Sequence, residues 1–221
     1  MAATADVGLI NTYAGGTFNN SGTMVKSDGG GTSTLANITV SNTGTMDVQT
    51  GTIALPNGFT NAGTLMGLGA FSTNTLTNNG HIAPGASPGT LTLAGHLVLG
   101  AGGSLDIELG STALHDLLVV QGNATLGGTL ALSCWSSCSF AAGAEVLVLD
   151  ASGLLSGTFS QVTYAGFAPG AFEVRLDAAN GDVWLRATQD ITTAVPEPST
   201  YGLLLAGLGL VGWRARRRAA R

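Results

Sequence analysis

Charge is scarce in this sequence. Of 221 residues only 10 % are Asp, Glu, Lys or Arg, and Lys26 is the single lysine. So few charges exclude both a typical enzyme surface and a charge-driven disordered chain. The few basic residues are also unevenly placed. Residues 1–195 carry Lys26, Arg175 and Arg186 against twelve acidic residues, a formal −9, whereas residues 196–221 carry five arginines against one glutamate, a formal +4. A body of that sign has no basic stripe to neutralise phosphates, which excludes nucleic acid as a partner. Aromatic residues are few, at 6 %, and there are two cysteines. What is abundant is glycine, 34 residues, beside a 44 % hydrophobic fraction that must pack somewhere. The length suits one medium domain or an elongated stack of repeats.

Self-similarity is present. Asn20-Ser21-Gly22-Thr23-Met24, Asn42-Thr43-Gly44-Thr45-Met46, Asn61-Ala62-Gly63-Thr64-Leu65 and Asn78-Asn79-Gly80-His81-Ile82 share the form Asn-x-Gly-x-apolar, with glycine spacings of 22, 19 and 17. Asn and Gly tolerate positive φ, so each phrase reads as a turn followed by a short alternating strand such as Met46-Asp47-Val48. Helical periodicity is absent, and Thr, Val and Ile with frequent Gly favour strands. A period near twenty residues is what a parallel β-solenoid needs.

After about residue 95 the runs become longer and more apolar: Leu97-Val98-Leu99, Leu105 to Leu109, Leu117 to Val120, Leu126 to Leu132 and Glu145 to Leu149. These predict better-buried strands. A last group, Phe159 to Tyr164, Phe172 to Leu176 and Val183-Trp184-Leu185, holds much of the aromatic content and is expected to cap the stack, whose open end would otherwise invite edge pairing. The stretch Gly80-His81-Ile82-Ala83-Pro84-Gly85-Ala86-Ser87-Pro88-Gly89-Thr90-Leu91-Thr92-Leu93 resembles the autotransporter-type β-strand repeat. Asp116-Leu117-Leu118-Val119-Val120-Gln121-Gly122 and Gly157-Thr158-Phe159 are similar to the closing coils of such passengers. The resemblance implies a right-handed parallel β-helix.

The C-terminal segment has three parts in fixed order: Val195-Pro196-Glu197-Pro198-Ser199-Thr200, the apolar run Tyr201 to Trp213, and the basic end Arg214 to Arg221. Pro196 and Pro198 force an extended form, and Pro198 suits the first position of a helix whose positive end Glu197 faces. The apolar run is 13 residues, ~20 Å as a helix and short of a ~30 Å hydrocarbon core. Counting from Pro198 to Arg214 gives 17 residues, ~25 Å, and arginine snorkels across the remainder. Tyr201, Leu203, Leu204, Leu205, Leu208, Leu210, Val211 and Trp213 are the expected membrane span, and Arg214, Arg216, Arg217, Arg218 and Arg221 the cytoplasmic anchor. This arrangement resembles the PEP-CTERM sorting signal in all three parts. The resemblance implies a protein exported by a Gram-negative, exopolysaccharide-producing bacterium, held transiently in the inner membrane and cleaved near Pro196-Glu197-Pro198 by an exosortase. Against this, Met1-Ala2-Ala3-Thr4-Ala5-Asp6-Val7 has neither a basic n-region nor an apolar h-region, so the chain is expected to be a truncated or internally started copy.

Other motifs weigh less. Gly207-Leu208-Gly209-Leu210-Val211-Gly212 fits G-x-G-x-x-G, but it lies inside an apolar span with no strand before it. In Gly85-Ala86-Ser87-Pro88-Gly89, proline follows the serine and cannot supply the oxyanion-hole N–H of a G-x-S-x-G elbow. Cys134 and Cys138 lack the partners of a zinc site and read as a loop-closing disulfide in an exported chain, or else as two free thiols. His81, His96 and His115 fall in separate repeats and read as surface residues. The body lacks the clustered carboxylates and cation site of a polysaccharide lyase or hydrolase, which predicts no enzyme and no cofactor. Thr-x-Thr pairs begin at Thr32, Thr43, Thr50, Thr73 and Thr90, at intervals too irregular for one flat ice-binding plane.

The sequence therefore predicts an all-β, right-handed parallel β-helix followed by one C-terminal hydrophobic helix. Its parts are residues 1–95 (Gly/Thr/Asn-rich repeats), 96–188 (more apolar coils and cap), 189–195 (linker) and 196–221 (sorting signal). The expected role is a non-enzymatic surface or extracellular-matrix protein, structural or adhesive. Expected partners are an exosortase-type protease, membrane lipid and extracellular polysaccharide. The alternatives are an ice- or glycan-binding solenoid and, last, a polysaccharide-acting enzyme.

Overall fold

Short Thr- and Gly-rich strands gain little individually, and here they are held by pairing in register with their neighbours on both sides. The computed structural model describes residues 2–3, 8–10, 15–36, 38–85 and 88–192, which are all-β, with no helix among them. One sheet places Ala2–Ala3, Thr23–Lys26, Thr45–Val48, Thr64–Gly67, His81–Pro84, Ser104–Leu109, Thr129–Cys134 and Gln161–Ala165 side by side, every pair parallel. A second sheet contains two parallel runs. The first passes through Gly8–Ile10, Thr32–Ala36, Thr52–Ala54, the early parts of Ala70–Asn78 and Thr90–Leu99, then Leu117–Val120 and Glu145–Ala151. The other passes through Gly16–Asn20, Ile38–Asn42, Thr60–Asn61, the late parts of the same two long strands, Ala124–Leu126 and Leu155–Gly157. A register shift between Ser72 and Thr75 divides the two runs where one strand serves both. The chain thus visits the first sheet, then each run of the second, and returns to the first sheet one strand further on.

Parallel in-register pairing sets like above like. Met24, Met46, Leu65, Ile82, Leu105 and Leu130 are successive register partners on the inner face of the first sheet, and each is at most 2 % exposed. Ile53, Phe71, Leu93 and Val120 form a similar column from the second sheet. Period-2 alternation puts these residues inward and the threonines between them outward.

The Asn-x-Gly phrases have a different physical basis from the one the sequence suggested. Asn20, Asn42, Asn61 and Asn78 are not exposed turn formers. All four are buried, in register at the end of the second run. Asn20 Nδ2 donates to Asn42 Oδ1 (2.7 Å), Asn42 Nδ2 to Asn61 Oδ1 (2.8 Å) and Asn61 Nδ2 to Asn78 Oδ1 (2.7 Å). Two of the carboxamides also serve their own turns, Asn61 Nδ2 donating to Gly63 O and Asn78 Nδ2 to Gly80 O, both at 2.8 Å, while Asn20 Nδ2 donates to Thr45 O (2.8 Å) and Asn42 Nδ2 to Thr64 O (3.3 Å) in the next repeat. The ladder thereby satisfies amides that would be costly to bury alone. Nor do the glycines of the motif adopt positive φ. A Cβ on Gly44, Gly63 or Gly80 would sit on the carbonyl oxygen of Gly22, Gly44 or Gly63 respectively, so close stacking of turns is what demands glycine.

Leu99 takes the place of asparagine in the next register position, and the asparagine column ends there. The apolar stretch 126–132 is two strands, because Gly127 and Gly128 turn the chain from the second sheet into the first. Beyond Glu145–Ala151 the pairing changes sense: Asp182–Ala187 runs antiparallel to it, and Phe172–Asp177 antiparallel to that. Ser139–Phe140 pairs antiparallel with Ile191–Thr192. Phe172 packs edge-on against Phe140 (5.2 Å) and Phe167 (5.3 Å) beneath this end, and the Tyr164 hydroxyl donates to Phe172 O (3.1 Å).

Two substitutions separate these effects. Gly63→Ala is expected to cost more than about 2 kcal/mol, whereas Gly22→Ala, whose Cβ meets nothing within 4 Å, stays within about 0.5 kcal/mol of the parent by urea unfolding. Asn61→Ala leaves unpaired amide groups above and below it and is expected to cost about 2–4 kcal/mol in the same measurement.

Candidate functional site

The outer faces carry polar columns. Thr23, Thr45 and Thr64 stand in register on the first sheet, Thr32 beside Thr52 and Thr60 beside Thr77 on the second. Threonines irregularly spaced along the chain are thus aligned in space, because the repeats distribute them over three faces. Each column is nevertheless short: His81 follows Thr64, Ala70 follows Thr52, and Val98 follows Thr77.

His81 is exposed, with Nδ1 2.8 Å from Asp106 Oδ2, and Ser104 Oγ donates to the other oxygen of the same carboxylate. The serine and the histidine therefore share a carboxylate and do not bond to each other, which is not the order a nucleophile and its base require. His96 Nδ1 accepts the Asn123 N–H at 2.9 Å. His115 departs from the surface role expected of it: its Nδ1 is enclosed without a partner, and burial pushes its pKa below the ordinary value. Among the described residues no group of three or more His, Cys, Asp or Glu is placed to hold a metal ion.

Asp116 was visible in the sequence only as part of a repeat-like phrase, yet its carboxylate organises a turn. It is 1 % exposed. Gly89 N–H donates to Oδ1 and Glu108 N–H to Oδ2, each at 2.8 Å. The Asp116 and Leu117 N–H groups return bonds to Glu108 O and Gly89 O. Gly85, at φ 88°, lies so close that a Cβ there would come 2.7 Å from Asp116 Oδ1. The two Pro-Gly phrases of the stretch 84–89 are thus tied to the strand that follows 27 residues later. Desolvation raises the carboxyl pKa to about 6, against the opposing pull of the two N–H donors.

Cys134 and Cys138 are joined in a disulfide with Cα atoms 5.8 Å apart. The loop is anchored where Trp135 N–H donates to Leu109 O and Ser139 N–H to Gly110 O, both at 2.9 Å. Ser136 takes φ 58° at its tip. Trp135 (37 % exposed) and Leu114 (51 %) flank Gly110 on this corner.

Pro196, Glu197, Pro198, the span Tyr201 to Trp213 and the anchor Arg214 to Arg221 lie outside the described residues, as do Ala86 and Ser87. Among the described residues no helix is long and apolar enough to cross a membrane. Comparison with known families shows a PEP-CTERM protein-sorting motif at residues 194–218. The chain is also similar to the adhesin BmaC autotransporter of Brucella suis biovar 1 (strain 1330), with 46 % identity over 63 residues, 26 % of this chain. That match spans only 2 % of the length of the Brucella protein.

Asp116 supplies a pH test. Its folded pKa lies above the unfolded value of 3.8, so the folded state holds the extra proton, and stability falls as pH rises from about 4 to about 6 by on the order of 2 kcal/mol. Asp116→Asn is expected to remove that slope from urea midpoints measured across this window, while lowering stability at every pH because one N–H loses its acceptor.

Proposed function

We propose that the protein is an exported, non-enzymatic surface or extracellular-matrix component, structural or adhesive, processed through its C-terminal signal. The sorting motif at 194–218 is the observation that carries this reading. In it, an exosortase-type membrane protease recognises Pro196, Glu197 and Pro198. Tyr201, Leu203, Leu204, Leu205, Leu208, Leu210, Val211 and Trp213 lie in membrane lipid, and Arg214, Arg216, Arg217, Arg218 and Arg221 hold the end in the cytoplasm. The body is read as a right-handed parallel β-helix of three strands per rung, the hand that nearly all parallel crossovers take. Residues 1–95 form its asparagine-stacked part and 96–188 its aliphatic part with the antiparallel cap. Residues 189–195 serve as linker to the signal at 196–221. The adhesive role draws on the similarity to an autotransporter adhesin, and extracellular polysaccharide is the partner such a body meets once released.

A second reading, an ice- or glycan-binding solenoid, draws on the Thr23–Thr45–Thr64 column. A polysaccharide-acting enzyme ranks last, since His81, Asp106 and Ser104 lack a nucleophile–base contact.

Expression with the native upstream region in an exosortase-bearing host tests the sorting. The parent is expected to lose its arginine end and leave the membrane fraction, while Pro196→Ala/Pro198→Ala stays membrane-bound at full length, as read by intact mass and cell fractionation. Equal, uncleaved retention of both in the cytoplasm would remove the export reading.

A further inference from the structure

The two arginines of the body share one surface. The three antiparallel strands Glu145–Ala151, Asp182–Ala187 and Phe172–Asp177 present a set of outward positions in direct register. Trp184 stands at the centre, between Leu147 on one strand and Arg175 on the other. Glu145, Arg186 and Glu173 form the row on one side, and Asp150, Asp182 and Asp177 the row on the other. The opposite faces of these strands bury Val146, Val183, Leu185 and Phe172, which fixes the nine groups outward. Arg175 is ion-paired with Glu145, and Arg186 lies 3.9 Å from Glu173. The indole N–H of Trp184 donates to Asp182 Oδ2 (3.3 Å). Asp177 is held below the usual carboxylate range by hydrogen bonds from Asn180 and Ala179 and by Arg175. An open groove of about 560 Å³ runs over this patch, walled by Glu145, Arg175, Asp177 and Trp184.

We propose that this face binds a neutral polysaccharide, with Trp184 as the stacking platform and the flanking Arg175, Asp177 and Glu145 as hydroxyl partners. Hydroxyl groups both donate and accept, so they match a surface that sets the guanidinium donors of Arg175 and Arg186 among carboxylate acceptors. The part-buried indole offers an apolar plane against which the C–H face of a pyranose packs. Neighbouring strands lie ~4.8 Å apart, so the three strands present hydrogen-bonding groups at about the repeat of a sugar unit. Five carboxylates against two arginines, each of which already has a glutamate close by, reject a polyuronate or a phosphate-bearing chain. The proposal rests on the reading that the body meets polysaccharide outside the cell, but it concerns the body alone, so its failure leaves tail processing untouched.

The test uses the full chain in a polyoxyethylene detergent, which carries no sugar. Native affinity gels contain dextran or hydroxyethyl cellulose as neutral probes and alginate as the acidic one. Retardation by at least one neutral polymer and none by alginate is expected. Trp184→Ala should weaken that retardation about tenfold, and Arg175→Gln severalfold, with unchanged circular dichroism. With Trp135→Phe and Trp213→Phe in place, the emission of Trp184 should shift on titration with the retarding polymer. Retardation by alginate in preference, full retardation of Trp184→Ala, or no retardation by either neutral polymer would each overturn the proposal.

Discussion

The repeats of this molecule depend on one requirement: equivalent strands of successive repeats pair parallel and in register, which brings each residue to within a strand spacing of its equivalent in the next repeat. Under that constraint the unit of stability is the column. A column of Leu, Ile and Met excludes water along its whole length. A column of asparagines succeeds for another reason: a carboxamide has a donor and an acceptor on opposite sides, so identical neighbours satisfy one another. The same proximity dictates glycine where turns stack, since carbonyl oxygens of one turn occupy the space a side chain of the next would need.

This explains what was legible in the sequence. The spacing of Asn and Gly revealed the repeat, because columns force recurrence, and alternating Thr with Met, Leu or Ile revealed which way each strand faces. The reason for the Asn-x-Gly motif was not legible. Positive φ and close stacking both select glycine, and the two differ only in the folded backbone; here Gly44, Gly63 and Gly80 serve stacking. The threonine spacing gave no sign of the short columns, because the threonines are distributed over both sheets. Asp116 and the Trp184 surface were hidden because their partners are far along the chain: Gly89 is 27 residues before Asp116, and the rows around Trp184 combine three strands. No local pattern records such a meeting.

The change from an amide-lined interior to an aliphatic one comes where the repeats grow more apolar, and the antiparallel strands come last. Parallel strands of one sheet could in principle add repeats without limit. A reversed pair extends the inner face of Glu145–Ala151, setting Leu185 beside Val146 and Val183 beside Leu149, and ends that sheet on a strand whose outer face is charged, a device that discourages further pairing. The sorting motif at 194–218 follows directly, so the closed end of the body is the end that adjoins the signal.

Lys26, fully enclosed on the inner side of its strand with its ammonium group donating to Asp28 O and Gly29 O, has a consequence for survival. Proteases that cut after basic residues find in residues 1–195 only Lys26, Arg175 and Arg186, and all three lie within hydrogen-bonded strands. Such enzymes act on chain that has opened. A body almost stripped of lysine and arginine, with its lone lysine sealed inside, is therefore poor fodder for trypsin-like digestion, whereas five of the chain's eight basic residues fall beyond residue 213.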